Sequence, residues 1–224
     1  WGFDLPSNAQ GHWYPAITTP VLELASRYRK TTHEIDEMLC KARQILQNER
    51  NKRQKPIFDR KLITGWNALT IRALMIAYGV FQEKSWLNAA ERTIQRIYQN
   101  LWFNGRLYTG YQNGQCASEG FLDDYAFLIE ALLQYLQYDW NSEYFVWAQQ
   151  LLDRALFLFE DLNEGGFFFT PKDAAPLLFR PKVLAEDGIP SGGAILCKSA
   201  LLLGHILGEV RYLTAAEKAI QNAD

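Results

Sequence analysis

Glu119-Gly-Phe-Leu-Asp-Asp-Tyr-Ala-Phe-Leu-Ile-Glu-Ala-Leu-Leu133 decides the fold. From about Asp123 to Tyr138 the polar breaks fall mainly at Glu130, Gln134 and Gln137, leaving one thin polar stripe on an apolar cylinder. A helix this apolar is enclosed on nearly every side, inside a large core or a membrane. At roughly 16 residues, with polar interruptions, it is too short to span a bilayer. It is therefore read as an interior helix, and its first turn carries two adjacent carboxylates, Asp123 and Asp124.

The chain outside this stretch repeats its logic. Trp66 to Phe81 and Ala194 to Leu207 are nearly all apolar, while Ser85 to Leu101, Ser142 to Phe159 and Tyr212 to Ile220 are amphipathic. Ala73-Leu74 recurs as Ala131-Leu132 and Ala200-Leu201, and Trp86…Ala90 recurs as Tyr144…Ala148 and Tyr212…Ala216. The interval, roughly 60 to 70 residues, is well above the roughly 34 of tetratricopeptide units and disfavours a simple solenoid. Buried and surface helices in alternation predict an all-α fold, an (α/α) toroid of helical hairpins. About four pairs are visible where six close a ring, so the barrel is incomplete. Asn104-Gly105 and Asn113-Gly114 are type I′ turn signals, and Gly166–Thr170 with Leu177–Arg180 reads as another hairpin. Each hairpin precedes an inner helix and so crowds one rim. Before this, residues 1–19 are irregular, Pro20 opens a short helix through Tyr28, and Thr31-Thr-His-Glu34 is a capping box for a second. One domain over 1–224 is expected.

Composition narrows the function classes. There are 23 Lys and Arg against 25 Asp and Glu, a formal charge of −2, which argues against a general nucleic-acid binder. No segment has transmembrane length, and Trp1 to Pro20 lacks the apolar run of a signal peptide. Cys40, Cys116 and Cys197 are odd in number and far apart, which points to free thiols and a cytoplasmic location. His12, His33 and His205 form no metal-ligand pattern and no Gly-rich nucleotide loop occurs, so neither metal nor cofactor is expected.

Three inner helices start on the shared rim, with Trp66-Asn67, Asp123-Asp124-Tyr125 and Pro190-Ser-Gly-Gly193. Helix starts offer unpaired N–H groups and partial positive charge. Aromatic faces beside carboxylates suit a sugar, whose ring stacks while its hydroxyls hydrogen-bond. Glycosidic cleavage needs two carboxylates flanking the bond, and Asp123 or Asp124, opposite Glu119, Glu186 or Asp187, could supply them. The candidate catalytic residues are Asp124 and Asp123; the candidate substrate-binding residues are Trp66, Asn67, Tyr125, Arg180, Lys182, Asp187 and Ser191. Against this, Asp123 is a good N-cap, Asp124 complements the helix dipole, Trp66 and Tyr125 read more readily as core aromatics than as stacking platforms, and Asp187-Gly188 reads as a turn.

Asp59-x-Lys61-Leu-Ile-Thr-x-Trp66-Asn67, Gly120-Phe-Leu-Asp-Asp-Tyr-Ala126, Gly165-Gly-Phe-Phe-x-Thr170 and Arg180-x-Lys182…Asp187-Gly-x-Pro-Ser-Gly192 resemble the YyaL-like family of spermatogenesis-associated, thioredoxin-domain-containing proteins, from roughly Thr31 onward. The resemblance implies a thioredoxin-like domain followed by a six-hairpin toroid similar to N-acylglucosamine 2-epimerases and six-hairpin glycosidases. This chain would be the middle and later part of that toroid. One departure is Pro-Ser-Gly-Gly193 where the family has Pro-Ser-Gly-Asn. The epimerase histidines and a glycosidase acid pair do not map onto the chain. The resulting expectation is a domain that binds or processes carbohydrate, glycosidase-like or epimerase-like if an enzyme, with a saccharide as ligand. The alternative is a non-catalytic scaffold for the thioredoxin-like domain of the same protein.

Overall fold

A computed structural model describes residues 1–175, 178–186 and 188–221. They separate into two compact units, Trp1–Asp59 and Arg60–Asp224.

The first unit carries no regular element before α1 (Val21–Tyr28), which Pro20 precedes and a left-handed Arg29 ends. α2 (Thr32–Asn51) begins with the expected capping box: the Glu34 N–H donates to Thr31 Oγ1 at 3.2 Å, and the Thr31 N–H donates to the Glu34 carboxylate at 2.8 Å.

The second unit alternates inner and outer helices as the repeat predicts. The inner ones are α3 (Thr64–Phe81), α5 (Leu122–Leu136) and α7 (Gly192–Leu207). The outer ones are α4 (Lys84–Leu101), α6 (Ser142–Phe159) and α8 (Val210–Gln221). α5 packs against α3 on one side, α7 on the other and α6 behind. Its side chains from Tyr125 to Leu133 are all buried, which explains why only one polar stripe survives in its sequence. Removing one such leucine from water is worth about 1.5–3 kcal/mol. α4 shows the complementary pattern, with Ala90, Ile94, Ile97 and Leu101 inward.

Short antiparallel strands join the helix ends. β2 (Trp102–Phe103) pairs with β3 (Arg106–Leu107), and β1 (Leu62–Ile63), β4 (Gly110–Gln112) and β5 (Gln115–Cys116) form a sheet in the order β1-β4-β5. Both Asn-Gly turns have positive φ at each residue, 51° and 70° at Asn104-Gly105 and 52° and 83° at Asn113-Gly114. That backbone is what a type I′ turn requires and what Asn-Gly tolerates.

The hairpin expected over 166–180 does not form among the described residues. Phe167 makes an isolated bridge to Glu160 at the end of α6, and the Phe169 N–H donates to Pro181 O at 2.8 Å. Pro171 deprives this stretch of a ladder donor, and Pro176 and Leu177 of the expected hairpin lie outside the described residues. No described helix is long and apolar enough to cross a membrane.

Candidate functional site

The paired carboxylates sit where three helices begin, and they diverge. Phe121, not Asp123, is the N-cap of α5, so both aspartates lie inside the first turn. One Asp124 oxygen accepts the Phe121 N–H at 3.0 Å; the other accepts the Gly65 N–H, in the first turn of α3, also at 3.0 Å. Asp123 turns the other way, and its carboxylate accepts the Gly192 N–H at the first residue of α7. A Cβ on Gly192 would collide with that carboxylate. Consecutive side chains of the central helix thus plug the starts of both flanking inner helices. The positive ends of the helix dipoles favour both contacts.

The two acids differ in access. Asp124 is 7% exposed, and burial pushes its pKa up to about 7 against the pull of its two N–H donors. Asp123 is half-buried; burial raises its pKa too, and the Gly192 N–H opposes the rise. Because the folded value for Asp124 lies above its ordinary 3.8, the fold prefers the protonated form. Its contribution to stability is fully present below pH 3.8 and is lost as pH rises from 3.8 through about 7. Chemical denaturation across that window should show wild type losing stability relative to Asp124→Asn, whose side chain does not titrate.

A second polar feature lies further along α5. At 100° per residue, Asp123, Phe127, Glu130, Gln134 and Gln137 fall within a sector of about 80°. Glu130 is buried, yet Lys198 of α7 donates to its Oε1 at 2.8 Å. Arg72 Nε of α3 lies 3.1 Å from its Oε2, close enough to pair charge but off the hydrogen-bond axis. Its sequence signal was present, as one of the few polar breaks in the apolar run, without any hint of its partners.

The remaining predicted residues do not converge on one opening. Tyr125 is fully buried, and its hydroxyl accepts the Leu107 N–H at 3.0 Å, so it is a core residue and not a stacking platform. Asn67 donates back to Ile63 O at 2.8 Å. Trp66 is 64% exposed and heads a stripe with Thr70, Ala73, Ala77 and Val80 on the flank of α3 away from α5, rather than on the face shared with Asp124. Arg180 donates to Thr170 O at 2.5 Å and to Leu158 O at 3.3 Å, with its guanidinium over the Phe168 ring. Lys182 pairs with Asp161 at 2.7 Å and donates to Gly165 O. Both cations tie the 165–182 loop to the end of α6; the Lys182 ammonium is fully engaged, while Arg180 spends its Nη2 on the two carbonyls. Ser191 caps α7, accepting the Ala194 N–H and donating to Val183 O at 3.0 Å. Asp187 lies outside the described residues. At Gly193 an added Cβ would meet nothing closer than 3.7 Å, so the Cβ of the Asn that the resemblance expects there has room. Glu119 is paired with Arg106 at 2.7 Å. No cluster of His, Cys, Asp or Glu able to hold a metal occurs among the described residues.

Relatives add to this geometry. No family model matches the chain. An uncharacterized protein of Caenorhabditis elegans is 30% identical over 213 residues, 90% of this chain and 28% of that protein. Human spermatogenesis-associated protein 20 is 28% identical over 206 residues, 86% of this chain and 26% of its own length. Over most of its length the chain is thus similar to spermatogenesis-associated protein 20. It spans about a quarter of the length of these curated relatives. Among solved structures, a sugar epimerase from a ruminal bacterium has a TM-score of 0.59 at 15% identity, over 75% of this chain and 46% of that one. An inactive α-1,6-mannanase variant of Salegentibacter, with two consecutive aspartates changed to asparagine and α-1,6-mannotriose bound, has a TM-score of 0.57 at 12% identity, over 91% of this chain and 57% of that one. Likeness at this identity establishes the fold: an α/α toroid of the glycosidase and epimerase kind.

Proposed function

We propose that this chain binds a saccharide at the rim where α3, α5 and α7 begin, with Asp123 as the residue that meets the ligand. The observation that carries the reading is the division between consecutive acids: Asp124 has both oxygens occupied by backbone donors, while Asp123 keeps an accessible edge. A half-buried carboxyl with a raised pKa accepts a sugar hydroxyl when ionised and donates a proton when neutral, the role of the acid in glycosidic chemistry. The neighbouring α-1,6-mannanase, inactive when two consecutive aspartates become asparagine, supports placing function on such a pair. Asp124 then acts as a positioning residue that fixes the turn carrying Asp123.

The scaffold reading, in which this toroid positions a thioredoxin-like domain, draws on the occupation of both Asp124 oxygens and of the Lys182 ammonium by intramolecular partners. Titration calorimetry with α-1,6-mannotriose, mannose and cellobiose separates the two. Binding of at least one sugar, weakened about tenfold by Asp123→Asn through loss of one charge-assisted hydrogen bond, is the expected result. No binding, or equal binding by the variant, favours the scaffold.

A further inference from the structure

The outer layer holds a second polar and aromatic cleft, away from the helix starts. Tyr98 of α4 and Tyr144 and Trp147 of α6 wall a cavity of about 420 Å³, with Ser142, Glu143 and Gln150 along it. Tyr98 meets Trp147 edge-on at 4.9 Å between ring centroids and is 50% exposed, so its outer face is open to solvent. Trp147 is 2% exposed, and its indole N–H has no acceptor among the described residues. An unsatisfied buried donor is costly, and native proteins leave few of them.

We propose that this cleft is a binding site for a neutral saccharide unit, one of whose hydroxyls accepts the Trp147 indole N–H while its ring lies on Tyr98. The chemistry of the lining selects the class. Glu143 and Gln150 supply acceptors for hydroxyl donors, and the exposed tyrosine face suits the apolar face of a pyranose. A quaternary ammonium would suit the aromatic walls and the Glu143 charge, but it carries no acceptor for the indole. A purely apolar ligand leaves the same N–H unsatisfied. A hydroxylated ring satisfies donor, acceptor and aromatic surface together. The Trp147 nitrogen is closed to solvent in the unliganded chain, so the sugar reaches it only by displacing the half-exposed Tyr98 ring.

The test uses the intact chain and the indole N–H region of its ¹⁵N–¹H correlation spectrum. The Trp147 signal is assigned as the one missing from Trp147→Phe, which keeps an aromatic ring, removes the donor and trims some buried volume. Addition of methyl α-mannoside or cellobiose is expected to move that signal, and Trp147→Phe is expected to bind about tenfold more weakly, the loss of one hydrogen bond. Tyr98→Ala, a change at a half-exposed position, is expected to weaken binding by a similar factor. The Trp147 signal itself separates the cleft from the rim, because a sugar held only at the helix starts does not move it. A Trp147 signal that stays fixed through saturation with both sugars overturns the proposal, as does unchanged affinity in Tyr98→Ala.

Discussion

Asp124→Ala is expected to lower the free energy of unfolding by about 2–6 kcal/mol, because two backbone N–H groups lose their acceptor at about 1–3 kcal/mol each. Neither donor has a substitute within its own helix: Phe121 is the N-cap of α5, and Gly65 lies in the first turn of α3, where N–H groups have no intrahelical partner. The loss should be larger at about pH 5 than at about pH 8. Above pH 7 the wild type carries a buried carboxylate whose ionised form the fold disfavours, and the alanine variant is relieved of it. Asp124→Asn should fall between, since its amide keeps one acceptor and turns a donor toward the other N–H. Urea unfolding of the three proteins at both pH values measures this. Equal stability of Asp124→Ala and wild type at about pH 5 would show that the two bonds hold nothing together.

Gly192→Ala should be nearly as severe, costing about 2–3 kcal/mol by overpacking. The added Cβ meets the Asp123 carboxylate and, behind it, the Asp123 Cα at 3.1 Å. A carboxylate can rotate away, but a helix backbone cannot, so α5 and α7 must separate. Trimming the carboxylate in Asp123→Ala/Gly192→Ala should recover only part of the loss, and thermal unfolding of the double-mutant cycle reports that coupling. Gly193→Ala is the internal control. Its Cβ has room, it lies in the same helical turn, and it should leave stability unchanged or raise it by about 0.4–1 kcal/mol.

The architecture was legible because burial leaves a period in the sequence. The apolar run after Leu122 and the alternation of Ala90, Ile94 and Ile97 on α4 against its polar face marked inner and outer helices to within a few residues. Asn104-Gly105 and Asn113-Gly114 were legible for a different reason, namely that few other residues accept two positive φ values in succession. What the site residues do was much less readable. The Asp-Asp pair announces charge at a buried helix start, but nothing local says that one carboxylate reaches Gly65 and the other Gly192. Arg180 and Lys182 alternate as ligand-facing strand residues would, yet carbonyls at Leu158, Thr170 and Gly165 and the Asp161 carboxylate claim them. Trp66 reads like a stacking platform, but helical geometry turns it onto the flank of α3. In each case the deciding partner is distant in sequence, and spacing along the chain carries no record of it.

Because neighbouring carboxylates of one turn are committed to opposite sides, the three helix starts cannot spread apart independently of one another. Widening the gap between α5 and either neighbour would strip an acceptor from a backbone amide, so the spacing of the three helix starts is held as a fixed dimension.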